Sequence, residues 1–209
     1  MSVSLEQTLT QGLETLNIPG PEEIKRQLLA FIELLHKWNR VYNLTAIRDK
    51  EKMVTHHILD SVAVMPLLHG VDILDVGSGA GLPGVPLAIV SPERQFVLLD
   101  SNAKKTRFLQ QAKAELGLTN LTIETGRVEH FHSTKSFDTV LSRAFSSISQ
   151  FLLIAGAHCK PDGVMIAMKG EYPEAELQTI PNGYTVKAVL LVDVPLLNAQ
   201  RHIVKIVPH

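Results

Sequence analysis

The chain has 209 residues, 45% of them hydrophobic and 20% charged, and a formal net charge of −1. That composition excludes a disordered or fibrous protein and leaves room for one large domain, or one domain with an appendage, around a substantial core. The near-neutral charge gives no global sign of nucleic-acid binding, so any such binding has to come from a local basic patch.

Taken from the start, Met1 to Glu6 carries no basic, apolar and small-residue leader, and no apolar run approaches the ~20 residues that span a membrane. The single cysteine, Cys159, excludes an internal disulfide and a cysteine metal cluster, so a cytoplasmic protein is expected. Leu5, Leu9, Leu13 and Leu16 fall on one face at helical spacing. Pro19-Gly20-Pro21 breaks that helix, and Glu22 and Glu23 suit the first turn of the next. Ile24, Leu28, Phe31, Leu35 and Trp38 form a second stripe. A loop from Asn39 to Arg48 then leads to a third helix that Asp49 can cap, with Val54, Ile58, Val62 and Met65 as its apolar face. Residues 1–69 therefore read as a helical extension, and residues 70–209 as the core domain.

From Val71 onward short apolar strands alternate with helices, the pattern of a parallel sheet. Strands are expected at 71–76, 96–100, 120–124, 137–142 and 163–169, and helices near 83–91, 102–117 and 146–158. Tyr184 to Val194 and Arg201 to Val207 are β-rich, and the link between them is too short for a crossover helix, so they form a hairpin. The fold class is α/β: a mostly parallel seven-stranded sheet closed by an antiparallel C-terminal strand, the class I methyltransferase plan, with helices in front.

The first strand ends at Asp75 and opens into Gly77, Gly79, Gly81 and Gly84 before an apolar helical segment. Glycines let the backbone turn sharply and let a ligand approach the main chain. The helix behind them offers free N–H groups and a partial positive charge. Gly79, Gly81 and Gly84 satisfy a G-x-G-x-x-G dinucleotide pattern, but Asp75 close to a pyrophosphate would be repulsive. A sulfonium cofactor with an amino-acid end is instead attracted to that carboxylate. The stretch resembles D-x-G-x-G-x-G, the first motif of enzymes that use S-adenosylmethionine; a purely structural glycine loop is the alternative.

Asp100 ends the second strand about twenty positions on, where doubly wound nucleotide folds place a carboxylate on the ribose hydroxyls; a helix-capping role is compatible with it. Val128 and Glu129 follow the third strand, where an apolar side chain can pack on adenine and a carboxylate can read its edge. The fourth strand ends in Ser142-Arg143-Ala144-Phe145. It lacks the Asn/Asp-Pro-Pro-aromatic motif of amine methylation, and Cys159 reads as core rather than as a nucleophile. An acceptor with its own reactive lone pair remains. Arg143 can grip the methionine carboxylate or a phosphate, and Phe145 can stack on a base. Arg48, Lys104, Lys105, Arg107, Lys169 and Arg201 are candidate basic contacts, although clusters of this kind also serve as solvated surface. The nine histidines lack metal-ligand spacing, so no metal is expected.

Leu35-His36-Lys37-Trp38-Asn39, Asn43-Leu44-Thr45, His57-Ile58-Leu59-Asp60-Ser61, the glycine stretch with Pro83-Gly84, Leu99-Asp100-Ser101, Lys105, Arg107-Phe108-Leu109, Arg127-Val128-Glu129, Ser142-Arg143-Ala144 and Arg201-His202 together resemble one family. It is the RsmG (GidB) family of bacterial small-subunit rRNA methyltransferases, and the resemblance spans almost the whole chain. It implies methyl transfer from S-adenosylmethionine to N7 of guanine-527 in 16S rRNA, with no general base. The cofactor-binding set expected is Asp75, Gly77, Gly79, Leu82, Asp100, Val128, Glu129 and Arg143, with Arg143 also assisting alignment and no catalytic residue proper. The RNA-binding set is Arg48, His57, Lys105, Arg107, Lys169 and Arg201. His56 stands where family members often carry Arg. The partner implied is 16S rRNA or the small subunit, with no membrane and no metal, and a monomer is expected. Two rivals are a small-molecule methyltransferase, against which the polar front of Asn39, Asn43, Thr45 and Arg48 argues, and a non-enzymatic nucleotide-binding module.

Overall fold

Strands β1 (Asp72–Val76), β2 (Gln95–Asp100), β3 (Leu121–Thr125), β4 (Phe137–Ser142) and β5 (Cys159–Lys169) lie parallel in the computed structural model. This describes residues 4–143 and 145–209; Met1–Val3 of the leader stretch and Ala144 of the fourth-strand motif lie outside it. The hairpin of β6 (Tyr184–Val192) and β7 (Arg201–Pro208) completes a seven-stranded sheet in the order β3-β2-β1-β4-β5-β7-β6. Strand β7 inserts antiparallel between β5 and β6. The register pairs Asp75 with Leu141 and Ser142 with Ala167, so the C-terminal ends of β1, β4 and β5 form one edge. Strand order reverses between β1 and β4, which is where ligands of open α/β sheets bind.

Helices α1 (Leu5–Thr15) and α2 (Glu22–Tyr42) precede the sheet. Ser4 and Gln7 form a reciprocal capping box on α1, satisfying two N–H groups that the helix itself cannot. The expected loop at Asn39 starts later. Helix α2 continues to Tyr42 and stops at Asn43, which adopts the left-handed conformation, a conformation that asparagine tolerates better than most residues. Asp49 caps α3 (Lys50–Met53) by accepting from the Lys52 N–H at 2.9 Å. The third helix is then not uniform: Val54–Leu59 is π-helical before α4 (Asp60–Val62).

The front helices share the sheet's core. Leu9, Leu28, Phe31 and Leu59 belong to the same buried apolar cluster as Leu98, Phe108 and Ile166. Phe31 and Trp38 of α2 approach the ring of Phe108 at 6.1 and 5.6 Å, which docks α2 on α6 (Ala103–Leu116). Helix α5 (Gly84–Val90) is wholly buried behind the glycine turn. On the other face α7 (Ile148–Ala155) packs Phe151 and Leu152 into a second cluster with Val140, Met165 and Val204. Helix α8 (Glu174–Leu177), a single turn after β5, was not foreseen from the sequence.

Candidate functional site

The turn after β1 is built on positive φ values at Gly77 (72°), Gly79 (59°) and Gly81 (81°), conformations that cost any residue with a Cβ. The Gly77 and Ser78 N–H groups both donate to the Leu99 carbonyl, at 2.8 and 3.2 Å, so the turn is fastened to the end of β2. There the Asp100 carboxylate accepts from the Gly79 N–H and from the Asn102 N–H, each at 2.8 Å. The cap of the following helix is Asn102 and not Asp100, its side chain accepting from the Lys104 N–H. At Gly84 a Cβ would lie 2.6 Å from Leu98 and 2.7 Å from Asp75, so only glycine lets the first turn of α5 approach the strands this closely.

A cavity of about 350 Å³ opens beside this turn, walled by Gly77, Asp100, Ser101, Val128, Glu129 and Phe145 among others. Four of the eight residues expected to hold cofactor are therefore brought together, from three different strand ends. Gly79 stands behind them, bonded to Asp100. The other three are placed elsewhere. Leu82 is buried in the front core cluster. Asp75 lies beneath the turn, 1% exposed, with one oxygen accepting from the Gly84 N–H at 2.9 Å and the other without a partner. Burial pushes its carboxyl up to about 7, against the lowering effect of the Gly84 bond. Asp75 thus supports the loop from below through the Gly84 N–H. Arg143 faces a second cavity.

That second cavity, of about 420 Å³, is lined by Thr45, His57, Asp60, Arg143, Lys169 and Arg201 among others. Asp60 is 2% exposed. One of its oxygens accepts from Arg201 Nε at 2.6 Å and the other from Arg143 Nη1 at 3.1 Å. Lys169 is paired with Glu176 at 2.9 Å. His57 lies buried, its Nδ1 donating to the His56 carbonyl at 3.0 Å, which leaves Nε2 to accept the Thr45 hydroxyl at 2.8 Å. Burial first, and the nearby Arg143 charge second, lower His57 to about 4, so the ring is neutral at physiological pH. Asn39 braces this wall from behind: its amide accepts from the Thr45 N–H and donates to the Ile47 carbonyl. Asn39 is thus an interior brace, and the polar front read from it begins only at the loop it holds.

Three of the six expected RNA contacts, His57, Lys169 and Arg201, meet in this cavity. Arg48 and Arg107 are exposed outside it, Arg48 bonded to Asn43. Lys105 sits over the glycine turn, its Nζ 3.9 Å from where a Gly79 Cβ would be. Asp60 carries no role in the sequence reading. Its signal was an aspartate inside the apolar run Ile58-Leu59-Asp60-Ser61-Val62, since a carboxylate is almost never fully buried without a charged or hydrogen-bonding partner. Cys159 is buried and its thiol is pushed up to about 12 by burial and by Asp162 and Asp138, which suits a core residue rather than a nucleophile. No group of three or more His, Cys, Asp or Glu that could hold a metal occurs among the described residues.

Each cavity takes a wall residue from the stretch that follows β4. Ser142 donates to the Val76 carbonyl at 2.7 Å and locks that strand end to β1; Arg143 then faces one cavity and Phe145 the other.

A family profile described as rRNA small subunit methyltransferase G matches residues 24–204. The ribosomal RNA small subunit methyltransferase G of Nitrosococcus oceani is 48% identical over 203 residues, 97% of this chain and 95% of its own length. That of Neisseria meningitidis is 46% identical over 200 residues, 95% of this chain and 96% of its own length. Among solved structures, a SAM-dependent methyltransferase from Thiobacillus denitrificans in complex with S-adenosyl-L-homocysteine superposes with a TM-score of 0.54 at 12% identity, over 85% of this chain and 97% of that one.

Proposed function

The chain belongs to the rRNA small subunit methyltransferase G family, and on that premise we propose that it moves a methyl group from S-adenosylmethionine to N7 of guanine-527 in 16S rRNA without a general base. The observation that supports this reading is that Arg143 and Phe145, two residues apart after β4, line a cationic cavity and a glycine-and-carboxylate cleft respectively.

The residues of the first cavity suit the cofactor. Each Asp100 oxygen accepts one backbone N–H and keeps acceptor capacity for a ribose hydroxyl. Val128 offers an apolar face for adenine and Glu129 an acceptor at its edge. Gly77 and Gly79 themselves place no side chain in the approach. When bound, S-adenosylmethionine supplies a methyl group made electrophilic by its sulfonium. Guanine N7 has a lone pair and no proton, so what the protein must supply is alignment and electrostatic support. Arg143 assists from the acceptor side. His57, held neutral, and Lys169, paired with Glu176, shape the wall against which the RNA rests, while Arg201 and Arg143 supply cation for phosphate. Arg48, Lys105 and Arg107 extend that grip across the outer face. A cytoplasmic location and a monomeric state are part of this proposal, and no helix among the described residues is long and apolar enough to cross a membrane.

The test combines calorimetric binding of S-adenosylhomocysteine with tritium transfer to small subunits and mapping of the modified base. Label at guanine N7 is expected. Label on an exocyclic amine or on small molecules only would overturn the assignment of the acceptor, and a preference for NAD over S-adenosylhomocysteine would overturn that of the cofactor.

A further inference from the structure

Asp60 is the point where three separated parts of the chain converge. It sits on α4 directly after the π-helical segment, and its two oxygens are shared between Arg143 at the end of β4 and Arg201 at the start of β7. Those strands flank β5 on either side, so one carboxylate spans the width of the cavity mouth. Its own side chain is 2% exposed, whereas Arg143 and Arg201 remain 31% and 23% exposed. Arg143 donates to Asp60 through Nη1 and Arg201 through Nε, with Arg201 Nη1 also donating to the Gln200 carbonyl at 2.9 Å, and each guanidinium keeps further N–H groups for the cavity. One carboxylate facing two guanidiniums leaves a net positive charge there, and Lys169 beside them is balanced by Glu176. A planar guanidinium recognises a phosphate through paired, directional N–H groups, so its orientation matters as much as its charge.

We propose that Asp60 is a positioning residue, which holds Arg143 and Arg201 in the orientation that receives an RNA phosphate; this rests on the reading that the second cavity meets RNA. The buried acid contributes by fixing two forks, not by touching the substrate. A simple charge argument predicts the opposite sign. Removing a carboxylate from beside two arginines makes the cavity more cationic and should tighten RNA binding. If Asp60 acts by orientation, neutralising it weakens binding instead.

The experiment measures the dissociation constant for 16S rRNA by filter binding, the turnover at saturating rRNA, and the affinity for S-adenosylhomocysteine. Asp60→Asn is expected to weaken rRNA binding about tenfold while cofactor affinity stays within about twofold. Arg201→Lys, which keeps the charge and loses the fork, is expected to weaken rRNA binding by a similar factor, and it decides the question alone if Asp60→Asn does not fold. In an Arg143→Gln, Arg201→Gln background, Asp60→Asn should add nothing, because the groups it orients are gone. Unchanged or tighter rRNA binding in Asp60→Asn, unchanged binding in Arg201→Lys, or an equal effect in the double-Gln background would overturn the proposal. Because binding is read separately from the methylated base, a product other than N7-methylguanine would count against the proposed reaction and leave this result standing.

Discussion

At the scale of single residues, two aspartates that look alike in sequence do different work. Asp100 ends β2 at the wall of the first cavity, whereas Asp75 lies near the end of β1 beneath the glycine turn. Asp100→Ala removes the ribose acceptor and also strands the Gly79 and Asn102 N–H groups. S-adenosylhomocysteine affinity should therefore fall about tenfold or more, with a stability loss of about 1–2 kcal/mol. Unchanged affinity in calorimetry would remove Asp100 from the site. Asp75, raised to about 7 by burial, prefers its protonated form in the fold. Its contribution is complete below the ordinary value of 3.8 and is lost as pH rises through 7. Asp75→Asn keeps an acceptor for the Gly84 N–H and removes the charge. The variant should be more stable than the parent at pH 8, with the difference shrinking toward pH 4. His57, lowered to about 4, runs the other way: its contribution is complete above 6.5 and is lost as pH falls through 4. Without Asp75 that acid loss should stand out in urea denaturation curves. A pH-independent difference between Asp75→Asn and parent would contradict the assignment.

At the scale of elements, the front helices act on the site through a short relay. Asn39 near the end of α2 holds Thr45, Thr45 holds His57 on the π-helical segment, and Asp60 follows three residues later. A π-helical turn inside an α-helix recurs at functional sites because it re-aims side chains at the cost of regular bonding. Here it brings His57 and Asp60 to the same cavity. Asn39→Ala leaves the Thr45 N–H and the Ile47 carbonyl without their partner, a cost of about 2 kcal/mol or more. It should also weaken rRNA binding several-fold with cofactor affinity unchanged, since no part of the relay lines the cofactor cleft. Equal losses of both affinities would mean that the front helices support the whole fold and not the acceptor side.

At the scale of the whole molecule, the net charge of −1 offers RNA no general attraction, so the proposed grip has to come from local cations. Of the candidate cations, Lys169 is balanced by Glu176, and Arg143 and Arg201 share Asp60. Only about four phosphates should therefore be neutralised. The logarithm of the rRNA binding constant should fall with the logarithm of salt at a slope of about −3 to −4. Arg107→Glu and Arg48→Glu, on exposed positions, should weaken rRNA binding and leave S-adenosylhomocysteine affinity intact. Lys105→Glu should weaken both, because its amine lies over the glycine turn. A slope near −8 would require a far larger basic surface than these residues form.

The sequence by itself determined the elements and their order: the strand–glycine–helix unit, the alternation that yields a parallel sheet, the closing hairpin and the carboxylate at the end of β2. These depend on local periodicity and on glycine conformations, which neighbours in the chain dictate. It also marked Arg143, Lys169 and Arg201 as strand-end cations, since strand ends can be counted. Only the tertiary structure decided which way those side chains turn. Arg143 and Arg201 lie 83 and 141 residues from the aspartate that binds them, and no local pattern encodes a bond across that distance. Asp75 illustrates the same limit. Its position at the end of a strand is legible, but whether a strand-end carboxylate points up into a cleft or down beneath a turn depends on packing. Here Gly84 lets α5 come close enough to take that carboxylate for itself.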